Sequence, residues 1–176
     1  MEFEETLYMR RSCRKYTADP VNKEDIEKIV EAGKSAPLAT GDHETTLITV
    51  VTDPGVIERI RASAKKESVK APGKLIDLLR GTNVLILVSA TDISDDHIEY
   101  CNAACMIENM HLQATALGLG SCYTWGAVRM IKDNKEIKEL LCILDGYELL
   151  SGLIIGHPEK PLYKREKSDR IVTKWI

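Results

Sequence analysis

A chain of 176 residues with 44% hydrophobic side chains has the length and apolar content of one ordinary globular domain. Its net charge of -3 and pI near 5.9 argue against a general nucleic-acid binder, which carries a basic surface over the whole domain. No apolar run approaches the ~20 residues of a membrane helix, and the acidic opening MEFEETLYM lacks the apolar core of an export signal. A cytoplasmic protein is therefore expected, with neither membrane nor nucleic acid as partner.

Residues 3–11 read as a short helix. It runs into MRRSCRKYTADPV (9–21), where Arg10, Arg11, Arg14 and Lys15 crowd four positive charges into six positions. Arginines are rigid bidentate donors for phosphate oxygens, and Ser12 between them adds a hydroxyl. The same cations would also complement a helix C-terminus, and the local residues leave both readings open. PVNKEDIEKIVEAGKSAP (20–37) predicts a helix capped by Asn22, with Asp25 three residues on and an apolar stripe of Ile26, Ile29 and Val30. TLITVV (46–51) and NVLILVSA (83–90) read as buried strands.

The polar stretch 54–80 is expected to form one or two surface helices broken near Pro72-Gly73. Its lysines 65, 66, 70 and 74 either form a solvated face or guide a phosphate-bearing nicotinamide. Residues 95–117 predict the longest helix, apolar on more than one side and so buried against several elements or a second subunit. GLGSCYTWG (118–126) leaves it through glycines into an extended segment. A surface helix follows near 133–142, then ELLSGLIIGHP (148–158) as a strand. The order favours α+β over a doubly wound parallel sheet, and no GxGxxG follows a strand.

The five cysteines (Cys13, Cys101, Cys105, Cys122, Cys142) read as small buried hydrophobes and not as a disulfide framework. His43, His97, His111 and His157 have no metal-ligand spacing, so no metal is expected.

Taken together, RRSCRKYTADPV, the capped helix running into GKSAP, GLGSC after the long helix, and GHPEKP before a basic tail resemble the nitroreductase family of FMN-dependent oxidoreductases over the whole chain. The resemblance implies a single domain, 1–176, with a central, mainly antiparallel sheet flanked by helices, in a domain-swapped homodimer with its FMN sites at the subunit interface. It implies that Arg10, Arg11, Ser12 and Arg14 grip the FMN phosphate, ribityl chain and pyrimidine edge, and that Lys164 and Arg165 complete the phosphate site.

Tyr123, Thr124, Trp125 and Gly126 match the segment that lies along the isoalloxazine ring and points a backbone N–H at N5. Pro37, Leu38 and Ala39 match a loop over the ring that the other subunit contributes. The chain reads LATGDHETT where many members carry an asparagine and a Gln-Pro-Trp-like run. His43 and Trp125 are the substrate-side candidates.

No catalytic side chain is implied, because flavin carries hydride from NADH or NADPH to a nitroaromatic, a quinone or a similar acceptor in a ping-pong sequence. A flavin-storing or regulatory protein, and a flavin-consuming or dehalogenating relative, are the alternatives.

Overall fold

The computed structural model describes residues 2–41, 43–166 and 171–176. Helix α1 (Phe3–Met9) ends two residues earlier than expected, where Arg10 turns to extended backbone and leads the cationic run away from the helix. Helix α2 (Lys23–Lys34) starts as its sequence predicts. The Asn22 side chain accepts from the Asp25 N–H at 2.8 Å and donates to the Asp25 carboxylate at 2.8 Å. A one-turn 3-10 segment (Ala39–Gly41) then leads to strand β1 (Thr46–Val51).

The stretch expected to be helical divides in two. Helix α3 (Pro54–Ser63) is capped by Asp53, whose carboxylate accepts from the Val56 N–H at 2.9 Å. Beyond it the chain forms an antiparallel hairpin, β2 (Lys65–Ser68) and β3 (Ala71–Asp77), and not a second helix. Pro72 has no N–H for a helical bond. Gly73 takes φ +81°, and its N–H donates to the Glu67 carboxylate at 2.7 Å, so the local bonding fits a bulged hairpin.

Strand β4 (Val84–Ala90) is buried along its whole length. Helix α4 (Ile98–Ala116), strand β5 (Gly120–Tyr123), helices α5 (Trp125–Ile131) and α6 (Lys135–Leu140), and strand β6 (Glu148–Gly156) follow. Helix α5 was not expected. It is two turns long, and only Ala127, Val128 and Ile131 mark its buried side.

The four-stranded sheet runs β1-β4-β6-β5 with every pairing antiparallel, as an α+β fold requires. Helices cover both of its faces, which is why β4 reads as one continuous apolar run. Val84, Ile86 and Val88 pack with α2 and α4, while Leu85 and Leu87 pack with α3, α5 and α6. Gly33 lets α2 settle on α4, since a Cβ there would stand 2.8 Å from Met110 Cγ.

One stripe of α4, Cys101, Ala104, Cys105 and Glu108, stays exposed within a single chain. The cysteine expectation is corrected accordingly. Cys122 is buried and Cys13 half-buried, but Cys101 and Cys105 sit on that outward stripe and Cys142 lies in a left-handed turn at φ 52°. Among the described residues no helix is long and apolar enough to cross a membrane.

Candidate functional site

The arginine run lies flat against the end of the sheet because two facing glycines leave room for it. Gly120 on β5 pairs with Gly156 on β6. A Cβ at Gly120 would stand 2.8 Å from Cys13 Sγ, and one at Gly156 would stand 2.8 Å from the Tyr16 ring. Into this bare patch Ser12 bridges to Ser121, the Cys13 N–H donates to the Ser121 carbonyl at 2.8 Å, and Tyr16 bridges to Pro158. The Tyr16 hydroxyl donates to the Cys13 carbonyl at 2.7 Å and closes the loop on itself. Burial raises the Tyr16 phenol far above its ordinary range, so it stays a neutral donor. Burial likewise raises the Cys122 thiol, against the opposing pull of Arg14 and a hydrogen bond from Ser12.

Helix α4 holds the loop from beneath. Glu108 Oε1 lies 3.0 Å from Arg10 Nε, and Glu108 Oε2 lies 3.7 Å from His111 Nδ1. Burial works to raise the Glu108 carboxyl, but the neighbouring His111 and Arg10 outweigh it, and the group is held below the usual range. His111, 2% exposed, places Nε2 3.3 Å from the Arg11 carbonyl and 3.2 Å from the Ser121 carbonyl. A carbonyl only accepts, so Nε2 carries the proton and ties the loop to β5.

A cleft of about 230 Å³ opens between this loop and the returning chain, lined by Arg11, Ser12, Arg14, Lys160 and Tyr163. The Arg11 guanidinium stacks 3.7 Å above the Tyr163 ring. Its Nη1 and the Ser121 hydroxyl are buried with no hydrogen-bond partner among the described residues. A guanidinium donor without a protein acceptor, beside a cationic cleft, suits an anion.

Lys164 and Arg165 reach the same end of the molecule, in different roles. The Arg165 N–H donates to the Tyr8 carbonyl at 2.8 Å and its guanidinium to the Leu7 carbonyl at 3.2 Å, capping the C-terminus of α1. Lys164 Nζ lies 5.5 Å from the Tyr8 ring centroid.

Two residues beyond Ser121, the β5–α5 junction carries the segment expected to meet a flat ring. Tyr123 and Trp125 are 40% and 37% exposed, and Trp125 meets Tyr100 edge-on at 6.0 Å. Thr124 is committed to the protein: its N–H donates to the Gly152 carbonyl at 2.8 Å and its hydroxyl to the Leu78 carbonyl at 3.3 Å. The amides of Trp125 and Gly126, in the first turn of α5, have no acceptor within the helix.

Pro37, Leu38 and Ala39 do not join the arginines within one chain. The Ala39 N–H donates to Asn102 near the start of α4 at 2.9 Å, whereas Arg11 meets the same helix at His111. Nine helical residues separate these anchors by about 14 Å. Leu38 and His43 line a different cavity of about 690 Å³, with Val30, Leu47, Ile48 and Met106. His43 therefore lines a cavity to which Trp125 does not contribute.

Sequence reasoning missed Glu108, His111 and Tyr163. A carboxylate and a histidine three apart on a mainly apolar helix were the available signal for the first two.

A family model described as Nitroreductase family matches residues 7–157. An Archaeoglobus fulgidus protein, provisionally named NADH dehydrogenase/NAD(P)H nitroreductase, is 30% identical over 175 residues, covering 94% of this chain and 93% of that one. The NADPH-flavin oxidoreductase of Vibrio harveyi is 25% identical over 160 residues, and 89% of this chain covers 65% of it. The chain thus spans just under two thirds of the Vibrio protein's length. A crystal structure of a nitroreductase with bound FMN from Bacteroides fragilis superposes over the full length of both chains with a TM-score of 0.81 at 24% identity. One from Desulfitobacterium hafniense, also with bound FMN, does so over 99% of this chain and 100% of that one, with a TM-score of 0.80 at 19% identity.

Proposed function

The chain belongs to the nitroreductase family, and from that premise we propose that it is an FMN-dependent oxidoreductase that passes hydride from NAD(P)H to an electron-poor acceptor such as a nitroaromatic or a quinone. FMN, when bound, would supply the redox chemistry as hydride acceptor and donor.

The protein's own residues bind, orient and shield. The observation that carries the reading is the buried Arg11 Nη1, a guanidinium donor with no protein acceptor, beside a cleft lined by Ser12 and Arg14. These residues and Arg10 suit a phosphate and the polar edge of a flavin. Lys164 is the tail cation for the phosphate, and Arg165 positions the loop through α1. The amides of Trp125 and Gly126 suit a ring nitrogen, and the exposed Tyr123 and Trp125 rings suit a flat substrate.

The site is completed by a second copy of the chain. Pro37, Leu38, Ala39 and His43 lie too far from the arginines to share a ligand's ring within one subunit, so the partner's loop covers it. Strand β1 is a sheet edge among the described residues. Beside it lies a cavity of about 450 Å³ with Ile26, Val30 and Val50 at its floor and Lys23, Glu27, Glu31 and Lys34 around them. Ile171, Val172, Trp175 and Ile176 of the tail are almost fully exposed. An apolar strand-forming tail and an apolar sheet edge in the same chain support an exchange of tails in a homodimer.

The decisive experiment is an anaerobic visible spectrum of protein reconstituted with FMN and desalted, before and after NADH or NADPH. The expected result is retained flavin that bleaches with a nicotinamide donor, with Arg10→Ala and Arg14→Ala releasing it on desalting. Flavin held but never bleached would make the protein a non-catalytic binder. No retained flavin would reduce the arginine run to a charged helix end.

A further inference from the structure

Resting on that oxidoreductase reading, we propose that the β2–β3 hairpin is the docking element for the phosphates of the nicotinamide dinucleotide, with Lys66 and Lys74 of one hairpin face as the recognising cations. The ladder register sets the faces. Lys65 pairs with Asp77, Lys66 with Ile76 and Glu67 with Leu75, and the Leu78 N–H extends the ladder by donating to the Ala64 carbonyl at 3.2 Å. Strand alternation then puts Ala64, Lys66, Lys74, Ile76 and Leu78 on one face, and Lys65, Glu67, Leu75 and Asp77 on the other.

The first face is the one joined to the candidate ring segment. The Leu78 carbonyl accepts from Thr124, and a Cβ at Gly126 would lie 3.8 Å from Leu78 Cδ1. Moving outward from that anchor, Ile76 is half-buried and Lys74 and Lys66 are exposed. Four strand residues place Lys74 about 13 Å from Leu78, a distance an extended dinucleotide spans. A nicotinamide at Trp125 thus leaves its phosphates along this face.

The charges agree with that orientation. The hairpin's two carboxylates both lie on the opposite face and are occupied, Glu67 by the Gly73 N–H at 2.7 Å and Asp77 by Arg61 at 3.3 Å. Among the described residues neither Lys66 nor Lys74 has an ion-pair partner. The face leading to the site therefore carries two free ammonium groups and no carboxylate, the complement of a phosphate ester or pyrophosphate. The helix expected from the sequence would have spread these lysines around a cylinder, whereas the hairpin aligns two of them.

The test uses FMN-loaded protein and compares K66Q/K74Q with K65Q/K70Q, which removes the same charge from the other face and the tip. In K66Q/K74Q the KM for the donor rises about tenfold or more, as expected for losing hydrogen bonds to a charged group, with kcat and flavin retention unchanged. K65Q/K70Q stays near wild type. A rise for NADPH alone assigns the adenosine 2′-phosphate, and a rise for both donors assigns the pyrophosphate.

Calorimetric titration with adenosine 2′,5′-bisphosphate and with ADP gives a readout independent of turnover, and K66Q/K74Q weakens one or both by the same factor. Equal effects in the two double variants, or none in either, would overturn the proposal. If wild-type flavin is reduced by neither donor, the oxidoreductase reading fails. The titrations still decide whether the hairpin binds nucleotide phosphates.

Discussion

Arg11 combines two opposed contributions. Its guanidinium gains about 0.5–1 kcal/mol from stacking on a largely exposed ring, while a buried unmatched N–H costs about 1–3 kcal/mol. On the proposed reading the residue weakens the ligand-free fold and strengthens the complex. Arg11→Met should raise the melting temperature of the flavin-free protein by roughly 2–4 °C, the shift of ~1 kcal/mol in a chain of this size. The same change should weaken FMN binding by about tenfold or more, the loss of one charge-assisted hydrogen bond. Differential scanning fluorimetry and flavin titration read the two effects separately. A variant that loses stability and keeps its affinity would make Arg11 a structural residue.

At the scale of elements, the site depends on how closely a loop approaches a sheet. Gly156 and Gly33 each meet a neighbour at 2.8 Å once a Cβ is added, but the neighbours differ. Gly156 faces the Tyr16 ring, which its hydroxyl bond to Cys13 and the backbone bridge to Pro158 hold in place. Gly33 faces Met110, an unbranched side chain that can swing aside, and an alanine in the last turn of α2 recovers part of the ~1 kcal/mol propensity difference. Gly156→Ala should cost about 1–3 kcal/mol through overpacking and release FMN. Gly33→Ala should leave thermal stability within about 1 kcal/mol. Thermal denaturation of both variants, with flavin retention after desalting, checks the pair, and equal losses would contradict the rigid-loop account.

For the whole molecule, the separation of the Ala39 and Arg11 anchors along α4 is the controlling dimension. A single subunit holds the arginine cleft near His111 and keeps the 37–39 loop at the other end of the helix, near Asn102. The proposed pairing of two chains would account for the site, the β1 edge and the exposed apolar tail together. Sedimentation should show twice the 19.7 kDa chain mass. Deleting residues 171–176 should give a monomer-enriched protein that loses FMN on desalting. A truncated chain that stays dimeric and yellow would place the interface elsewhere, with the exposed Cys101–Glu108 stripe of α4 as the remaining face.

Features that depend on a few neighbouring residues were legible in the sequence. The Asn22–Asp25 cap, the stripe of α2, the runs that became β1, β4 and β6, and the cationic loop all follow from bonds or periodicities spanning one or two turns. The order of the motifs along the chain was enough for the family. Features decided by residues far apart were not legible. Residues 65–77 became a hairpin because their ladder continues into Leu78 and anchors on Thr124, a contact 46 positions away. Arg165 was drawn to the end of α1, 158 positions back, and His111 to the Arg11 carbonyl across 100. Bonds of that range exist only after the sheet has brought β5, β6 and the arginine loop together. The sequence determined which groups the protein carries for an anion and a flavin, and the tertiary structure decided which of them remain free to bind.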